Sequence, residues 1–428
     1  MKKISVYIPW ALAALGTAVY VSLIFNNNLW MDEAFTAVLV RGSFSSMIHA
    51  SMADTLPPLY NILLWFMTHL FGYDSVIMKL TSVIPMILLL LSGCTAVRRN
   101  FGLQSSILFM LCVIAAPNML HYGVEIRMYS LALLFGTLSG IYAYEAYKTM
   151  TRRSWIMLII STVAAGYTHQ FALITSAFVW LFLLIMLFIS KKRVYSKWFI
   201  SLGTVIISYI PCLIVTITQL KNASSYFSAS GISLSGFLSC LRYPFVTNIT
   251  PVSFILLSVF ILGVLYSSRR VVSYLYIAVY PMVLVFSYII MLVSGSTFFS
   301  SRYLVPSLGL LWLGFSILVG QSERRYSRYM TIFSILTLIS AGAVLYHSQF
   351  LLEYSSGVSH MTDYFSANLK SDDGYIIYEN NYQIELCMRY YEPGFKKYDM
   401  DHADDIKGNI WYFEVPGYEN KLDETADY

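Results

Sequence analysis

The chain carries few charged side chains, and two of its carboxylates follow directly on an apolar run. Residues 4–25 contain no charge, and the next segment, NNNLWMDEAFT, places Asp32 beside Glu33. A third carboxylate, Asp54, precedes a double proline in DTLPPLY. Carboxylates at the edge of an apolar segment are costly to desolvate, so they either stay in bulk water or line a site. In a site they deprotonate a hydroxyl group or bind a divalent ion.

Cations that complement these carboxylates also lie at the ends of apolar runs. Glu125 stands two residues before Arg127 in HYGVEIRMYS, and Arg302 opens the apolar run SRYLVPSL. An arginine at that depth requires an anionic partner. Guanidinium groups hold phosphate through paired hydrogen bonds and stabilise a phosphate leaving group. The set of residues therefore suggests chemistry on a phosphate ester.

Composition places these residues in a membrane protein. The chain is 57% hydrophobic and 12% charged, with a mean hydropathy of +0.63, whereas soluble domains carry about 25% charged residues. Several uncharged runs reach the roughly 17–25 residues that cross a bilayer. We therefore predict a polytopic α-helical membrane protein. The net charge of +5 is not concentrated on one soluble domain, which argues against a nucleic-acid partner.

The apolar runs predict about eleven transmembrane helices and one shorter helix. The predicted spans are 4–25, 76–97, 104–120, 128–147, 154–168, 171–190, 198–217, 251–267, 271–293, 303–320 and 329–349. The run 59–71 follows Pro57-Pro58 and is too short to cross a bilayer. We predict that it forms an interfacial helix within a long first extracytoplasmic loop, 26–75.

Basic residues choose the orientation. With a cytoplasmic N-terminus, the inside loops hold 16 of the 22 Lys and Arg residues before position 350, and the outside keeps six, a strong positive-inside bias. Counting 59–71 as a span would reverse every later loop, so we reject it. Five of the seven acidic residues in the same part of the chain then fall outside, namely Asp32, Glu33, Asp54, Asp74 and Glu125. We expect Asp74 and Lys79 to be solvated loop charges.

Short polar segments between the spans complete the external surface. Ser43 or Ser45 is predicted to cap a short helix that the double proline stops, which brings Asp54 within reach of Asp32. An interfacial helix is predicted near 233–241.

Two further polar side chains lie beside predicted span ends. The tight turn GYTHQFA places His169 between two long apolar runs, where it faces the bundle or the external cleft. Tyr122 offers a hydroxyl group at the membrane interface, a common position for tyrosine. Both are candidates for binding substrate.

The composition changes beyond position 350. Residues 350–428 hold 16 acidic and six basic residues, so their net charge is 6 − 16 = −10. The segments DGYIIYENN and NIWYFEVPG are typical of β-strands, and IELCMRYYEP between them suits a short helix. We predict a transmembrane domain over 1–349 and a small acidic extracytoplasmic α/β domain over 350–428.

Together these features predict a cleft at the outer membrane surface that holds carboxylates and two or three cations. No nucleotide is available there, so a lipid-linked phosphate is the fitting substrate. The reaction would be group transfer from that lipid to an acceptor hydroxyl group.

The order of the motifs resembles a known family. LWMDEAFT, DTLPPLY, HYGVEIRMYSL, GYTHQF and SRYLVPSL, spread over residues 20–320, are similar to elements of the GT-C superfamily of membrane glycosyltransferases. The likeness is to bacterial relatives of glycosyltransferase family 39, which includes protein O-mannosyltransferases and lipid A aminoarabinose transferase. The resemblance implies inverting transfer of a sugar from a polyprenyl phosphate.

The resemblance also implies catalytic residues. Asp32 matches the acidic residue of the first outer loop that acts as general base, with Glu33 as its neighbour, and Asp54 matches the acidic residue before the double proline. The family often has histidine directly before that double proline, where this chain has Leu56. A role of that histidine in binding substrate or metal is therefore not carried over.

The remaining matches concern binding. Arg302 matches the arginine of a late R-Y-x-x-P element and Arg127 that of an E-x-R pair, and we assign both to the donor phosphate. Glu125 and His169 match family positions, and with Tyr122 they are predicted to bind substrate.

The partners follow from these assignments. They are a polyprenyl-phosphate sugar donor, membrane lipids, and a glycan, lipid or protein acceptor. The residues point to no certain cofactor, and a divalent cation between the carboxylates stays open. Three other readings stay open, namely a flippase for lipid-linked glycans, a non-enzymatic sensor or scaffold, and an oligosaccharide ligase that uses a pyrophosphate-linked donor.

Overall fold

A computed structural model describes most of the chain. The described residues are 4–192, 195–226, 233–247, 249–267, 271–294, 299–321, 327–354, 367–370, 372–377 and 382–413. Helices dominate them. In chain order they are α1 (Ile4–Val21), α2 (Met31–Arg41), α3 (Phe44–Ala53), α4 (Leu59–Phe71), α5 (Ser75–Ser92), α6 (Arg98–Ala115), α7 (Met119–Val124), α8 (Tyr129–Thr149), α9 (Arg152–Thr168), α10 (Gln170–Ile189), α11 (Tyr195–Tyr226), α12 (Leu234–Arg242), α13 (Thr250–Tyr266), α14 (Val271–Ser294), α15 (Val305–Gly320), α16 (Ser327–Tyr354) and α17 (Tyr382–Tyr391).

The predicted class, a polytopic α-helical membrane protein, is confirmed. Within the described residues, six helical segments are long and apolar enough to cross a membrane, or seven if the bent pair α12–α13 counts as one. The prediction of eleven spans is therefore not confirmed by length and composition. The predicted spans 76–97 and 104–120 correspond largely to α5 and α6 in the segment Ser75–Ala115, where the chain bends back so that the Ser106 hydroxyl donates to the Gly93 carbonyl at 2.8 Å. A π-helical stretch at Gly93–Val97 and a left-handed Gly102 (φ 83°) interrupt that segment.

The core of the bundle is built around α15. In the most apolar part of the segment Ser301–Gly320, 89% of the residues are buried, compared with 22% in the corresponding part of α16. Helix α15 is therefore central and α16 is peripheral. Helices α6, α8 and α14 pack around α15. Gly309 allows close approach to α8, because a Cβ there would lie 1.8 Å from the Thr137 hydroxyl oxygen. Small residues at helix contacts are common in membrane bundles.

The segment between α1 and α5 folds much as its sequence predicts. Ser43 caps α3, and its hydroxyl oxygen accepts a hydrogen bond from the backbone N–H of Ser46. Helix α3 ends at Ala53, and Asp54 is its C-cap residue. Helix α4 then occupies the predicted range, with Pro58 at its N-cap. The predicted helix near 233–241 is α12, which Ser233 caps.

The C-terminal part is a small parallel sheet with a helix. Strands β1 (Gly374–Ile377), β2 (Lys396–Lys397) and β3 (Ile410–Phe413) lie in the order β2-β1-β3, and both pairings are parallel. The two predicted strands and the helix between them are present, and β2 was not predicted because two residues carry no strand pattern. The predicted turn after β1 and the tail beyond Phe413 lie outside the described residues. Helix α17 packs against α2.

Candidate active site

The structure brings Asp32 and Arg302 into direct contact. The Arg302 Nη1 donates a hydrogen bond to Asp32 Oδ2 at 2.7 Å, across 270 positions of sequence. The side chain of Asp32 is 14% exposed and that of Arg302 is 30% exposed. Asp32 stands in the first turn of α2, where a carboxylate is favoured by the helix dipole. A short 3-10 turn at Ser301–Leu304, before α15, carries Arg302.

A second arginine approaches Asp32 from another segment. Nη1 of Arg127 donates to the Thr36 hydroxyl at 3.0 Å and reaches the Asp32 backbone carbonyl at 3.4 Å. Arg127 and Thr36 line a small pocket together with Asp54. Asp54 therefore shares a pocket with Arg127, and the charges of both predicted catalytic aspartates act on the Arg127 guanidinium group.

The Glu33 carboxylate joins two loops. Its Oε1 accepts from the backbone N–H of Ile126 at 2.8 Å, and its Oε2 accepts from that of Trp30 at 3.2 Å. Burial raises the pKa of the Glu33 carboxyl to about 7, and the charge of Glu125 adds to the rise while that of Lys79 opposes it. Both carboxylate oxygens thus accept hydrogen bonds from backbone N–H groups. These bonds link the segment around Asp32 to the loop that carries Arg127.

Glu125 is buried beside that junction. Its Oε1 accepts from the Trp30 indole N–H at 3.2 Å, whereas Oε2 has no hydrogen-bond partner within the described part of the chain. Burial raises the pKa of Glu125 to about 7, although Arg127 and Arg302 lower it. The carboxyl group is thus ready to exchange a proton near neutral pH.

His169 occupies the predicted turn between α9 and α10. Its Nδ1 accepts from the backbone N–H of Phe171 at 3.0 Å and so caps α10. Because Nδ1 is an acceptor, the neutral ring carries its proton on Nε2. Burial, followed by the charges of Arg127 and Arg302, lowers the pKa of His169 to about 3. The ring is therefore neutral and presents an N–H donor.

Four buried donor groups near Asp32 lack an acceptor. Among the described residues, no hydrogen-bond partner exists for Nε of Arg127, Nε of Arg302, the Tyr129 hydroxyl or Nε2 of His169. The Tyr129 and His169 rings lie 6.1 Å apart. Buried donors are rarely left unpaired in native proteins, so this group fits an anionic ligand that only accepts hydrogen bonds.

Tyr122 lies next to this group. Its ring is 4.9 Å from that of Tyr129, and its hydroxyl oxygen accepts a hydrogen bond from Tyr243 at 2.9 Å. Tyr122, which was predicted to bind substrate, is thus half-buried beside these donor groups, and its hydroxyl proton remains available for another acceptor.

A cavity of about 290 Å³ adjoins the carboxylates. Its wall includes Asn28, Trp30, Glu33, Glu125 and Glu353. Trp30 also lies near Arg302, whose guanidinium carbon is 5.9 Å from the indole centroid. The exposed wall of the cavity is mainly apolar, and the carboxylates add a small polar part to it.

One expectation about charge was wrong. Lys79 was expected to be solvated, but it is 1% exposed, and it pairs with Glu353 and donates to Asn26 Oδ1 at 2.6 Å. The first turn of α5 packs under the loop that follows α1, and this contact removes the ammonium group from water. Asp74, in contrast, caps α5 at the surface through the backbone N–H of Val76.

The structure adds residues that sequence reasoning missed. Trp30 and Tyr129 stand within quoted motifs, and their position beside charged residues was the available signal. Glu353 and Asn28 carried no such signal. Among the described residues, no group of three or more His, Cys, Asp or Glu side chains is placed to hold a metal ion.

Known structures share this architecture. ArnT from Cupriavidus metallidurans bound to undecaprenyl phosphate superposes with a TM-score of 0.65 at 13% identity, over 97% of this chain and 94% of that chain. The apo state of the same protein gives 0.67 at 12% identity with the same coverage. The chain has the ArnT fold. This is the fold that the motifs implied.

Other comparisons add less. The Archaeoglobus fulgidus oligosaccharyltransferase complex with Zn and sulfate gives a TM-score of 0.46 at 10% identity, over 90% of this chain and 62% of that chain. No family model matches the sequence, and no curated protein matches it. The ArnT fold was therefore recognisable through structure and motif order at an identity where overall sequence similarity is weak.

Proposed function

We propose that this chain transfers a sugar from a polyprenyl-phosphate donor to an acceptor hydroxyl group at the outer face of the membrane. One observation carries the proposal. Asp32 is paired with Arg302, and four buried donor groups around this pair have no acceptor among the described residues. A carboxylate base beside unpaired anion donors suits transfer away from a phosphate leaving group.

The arginines would hold the donor phosphate. Nε of Arg302 is free of hydrogen bonds to the described residues while Nη1 contacts Asp32, so one guanidinium group can serve phosphate and carboxylate together. Arg127, Tyr129 and His169 supply the other donors. Support comes from ArnT, a lipid A aminoarabinose transferase of the same fold, whose crystal structure holds undecaprenyl phosphate.

Asp32 would act as the general base. Phosphate binding draws the Arg302 guanidinium toward the lipid and weakens its hold on the carboxylate. The Asp32 carboxylate then takes the proton of the acceptor hydroxyl group as its oxygen bonds to the anomeric carbon. The bond between that carbon and the phosphate oxygen breaks, and polyprenyl phosphate leaves. Attack opposite the leaving group inverts the anomeric centre.

The neighbouring side chains have supporting roles in this scheme. Glu125, Tyr122 and the cavity beside Trp30 would receive the sugar ring, because carboxylate and amide oxygens accept hydrogen bonds from sugar hydroxyl groups. Asp54 would orient Arg127. We assign Glu33 to holding the two loops together, since both of its oxygens accept from backbone N–H groups.

The orientation is part of the proposal. Helix α5 starts beside Asn26 and runs away from the site, and Arg99 lies beyond its far end. Arg99 pairs there with Glu145 near the C-terminal end of α8. Lys192, just after α10, donates to the backbone carbonyl of Tyr147 in the last turns of α8. Basic residues gather on the cytoplasmic side of membrane proteins, so the site faces outward.

The test is a transfer assay in nanodiscs. Purified protein receives an undecaprenyl-phosphate hexose or aminopentose and a hydroxyl acceptor from an envelope extract, and released undecaprenyl phosphate is measured. Acceptor-dependent release is expected. Arg302→Ala should weaken donor binding by about 3 kcal/mol, since it removes a charge-assisted contact of about 1.5–3 kcal/mol and leaves Asp32 unpaired.

Matched controls separate this effect from general damage. Arg99→Ala removes an exposed arginine that pairs with Glu145 far from the site and should leave release unchanged. A donor with a diphosphate link tests the ligase alternative. Release from that donor alone, or lipid translocation without release, would overturn the proposal.

A further inference from the structure

The loop between α1 and α2 leads directly to Asp32, and it is held from two sides. On one side, the Asn28 side-chain N–H donates to the Glu353 backbone carbonyl, and Lys79 reaches Asn26 Oδ1 at 2.6 Å. These contacts come from α5 and from the end of α16. The other side of the loop faces the C-terminal segment.

On that second side, one hydroxyl group grips the loop backbone. The Tyr391 hydroxyl accepts from the Leu29 backbone N–H at 2.7 Å and donates to the Asn27 carbonyl at 2.7 Å. It thus pairs with one backbone donor and one backbone acceptor that lie two residues apart in the loop between α1 and α2. Phenylalanine would preserve the ring and lose both hydrogen bonds.

The helix that carries this hydroxyl is fixed to α2. The Arg41 guanidinium donates to the backbone carbonyls of Arg389 at 3.0 Å and Tyr390 at 2.9 Å, the final turn of α17. The Tyr390 hydroxyl adds a bond to Asn27 Oδ1 at 3.1 Å. Cations at a helix C-terminus satisfy carbonyls that lack intrahelical partners. Helix α17 is therefore a fixed support for the loop.

We propose that Tyr391 is a positioning residue for Asp32, so that the C-terminal segment forms part of the catalytic machinery. The inference rests on the proposed role of Asp32 as base. Only two residues separate Leu29 from Asp32, whose carboxylate lies 2.7 Å from Arg302 in the structure and must be held where it meets the acceptor hydroxyl group. Displacement by about 1 Å is enough to lower turnover strongly.

Hydrogen exchange tests the hydrogen bonds between Tyr391 and the loop backbone without any substrate. In Tyr391→Phe, the Leu29 amide should exchange roughly fivefold faster, as expected when one hydrogen bond is lost. Exchange in the core helix α15 should match wild type, which shows that the fold is intact. Tyr398→Phe is the matched control, because Tyr398 lies in the same C-terminal segment, where its ring lies beside Gly374 of β1.

Kinetics test the positioning role. In Tyr391→Phe, kcat of the transfer should fall roughly tenfold, while the Kd of undecaprenyl phosphate stays within about twofold, because the phosphate donors are untouched. Tyr390→Phe, which loses only the side-chain contact to Asn27, should show a smaller loss of kcat. A merely structural role would lower the amount of folded protein and leave kcat per folded molecule unchanged.

The outcomes separate the two proposals. Unchanged exchange at Leu29, unchanged kcat, or an equal loss of kcat in Tyr398→Phe each overturns the role of Tyr391. If wild type releases no undecaprenyl phosphate from any donor, the proposed function fails instead, and the exchange measurement still decides whether Tyr391 holds the loop.

Discussion

Asp32→Asn should separate catalysis from lipid binding, with opposite effects on the two. Asparagine keeps the shape of the side chain and an oxygen that accepts from Arg302, but it has no charge and is a poor base. Loss of a general base lowers turnover by about 10²–10⁴-fold. The same change should tighten the binding of undecaprenyl phosphate, because the Asp32 carboxylate competes with phosphate for the Arg302 guanidinium and repels the anion.

The size of the gain follows from the geometry of the pair. Two unit charges about 4 Å apart attract by about 4 kcal/mol at the effective dielectric constant of a protein surface, and exposed pairs contribute about 0–1 kcal/mol net. Asp32 and Arg302 are partly buried, at 14% and 30% exposed. Asparagine retains a neutral hydrogen bond of about 1 kcal/mol. The net gain in lipid binding is therefore about 1 kcal/mol, or roughly fivefold.

The assay measures both quantities on one preparation. The Kd of undecaprenyl phosphate is measured in nanodiscs with and without EDTA, and transfer is followed as release of that lipid. Asp74→Asn is the control, since it removes the same charge at a surface cap of α5 and should change neither quantity. Transfer at the wild-type rate by Asp32→Asn would refute the base role. Weaker lipid binding in Asp32→Asn, together with weaker binding of wild type in EDTA, would show that Asp32 acts through a bound cation.

Two further predictions concern the buried acid and the histidine. His169→Asn keeps an oxygen that can cap α10 at Phe171 and loses the Nε2 donor, so lipid binding should weaken by about 1 kcal/mol with little change in Tm. His169→Gln should instead lower stability by about 1 kcal/mol through loss of the cap. The reverse pattern would contradict the assignment of the His169 proton to Nε2. Burial raises the pKa of Glu125 from 4.5 to about 7, so the folded state binds more protons than the unfolded state between these two pH values. The free energy of unfolding should therefore fall as pH rises from about 5 to 8, by up to about 3 kcal/mol from this group. Thermal unfolding of Glu125→Gln across that range should show a shallower fall, with the remainder due to Glu33, and an equally steep fall would contradict the assignment.

Much of the local structure could be predicted because its signals are local. Serine before an apolar helix and a double proline after it predicted α3, and the bounds of α4 agree with the apolar run. The turn at His169 follows from two apolar runs that meet there. The runs 76–97 and 104–120 are two helical runs in the structure, broken at Gly102. The total of eleven spans is not confirmed, because six or seven segments of the described residues are long and apolar enough to cross a membrane.

The amino-acid sequence by itself determined the membrane class, most helices and which polar residues lie at helix ends, because hydropathy, capping and proline act within a few residues. Only the tertiary structure decided which of those residues meet. Asp32 and Arg302 are 270 positions apart, and Lys79 and Glu353 are 274 apart. No period or motif encodes such distances, since they depend on how the helices pack. The same packing brought Tyr391 against the loop before Asp32.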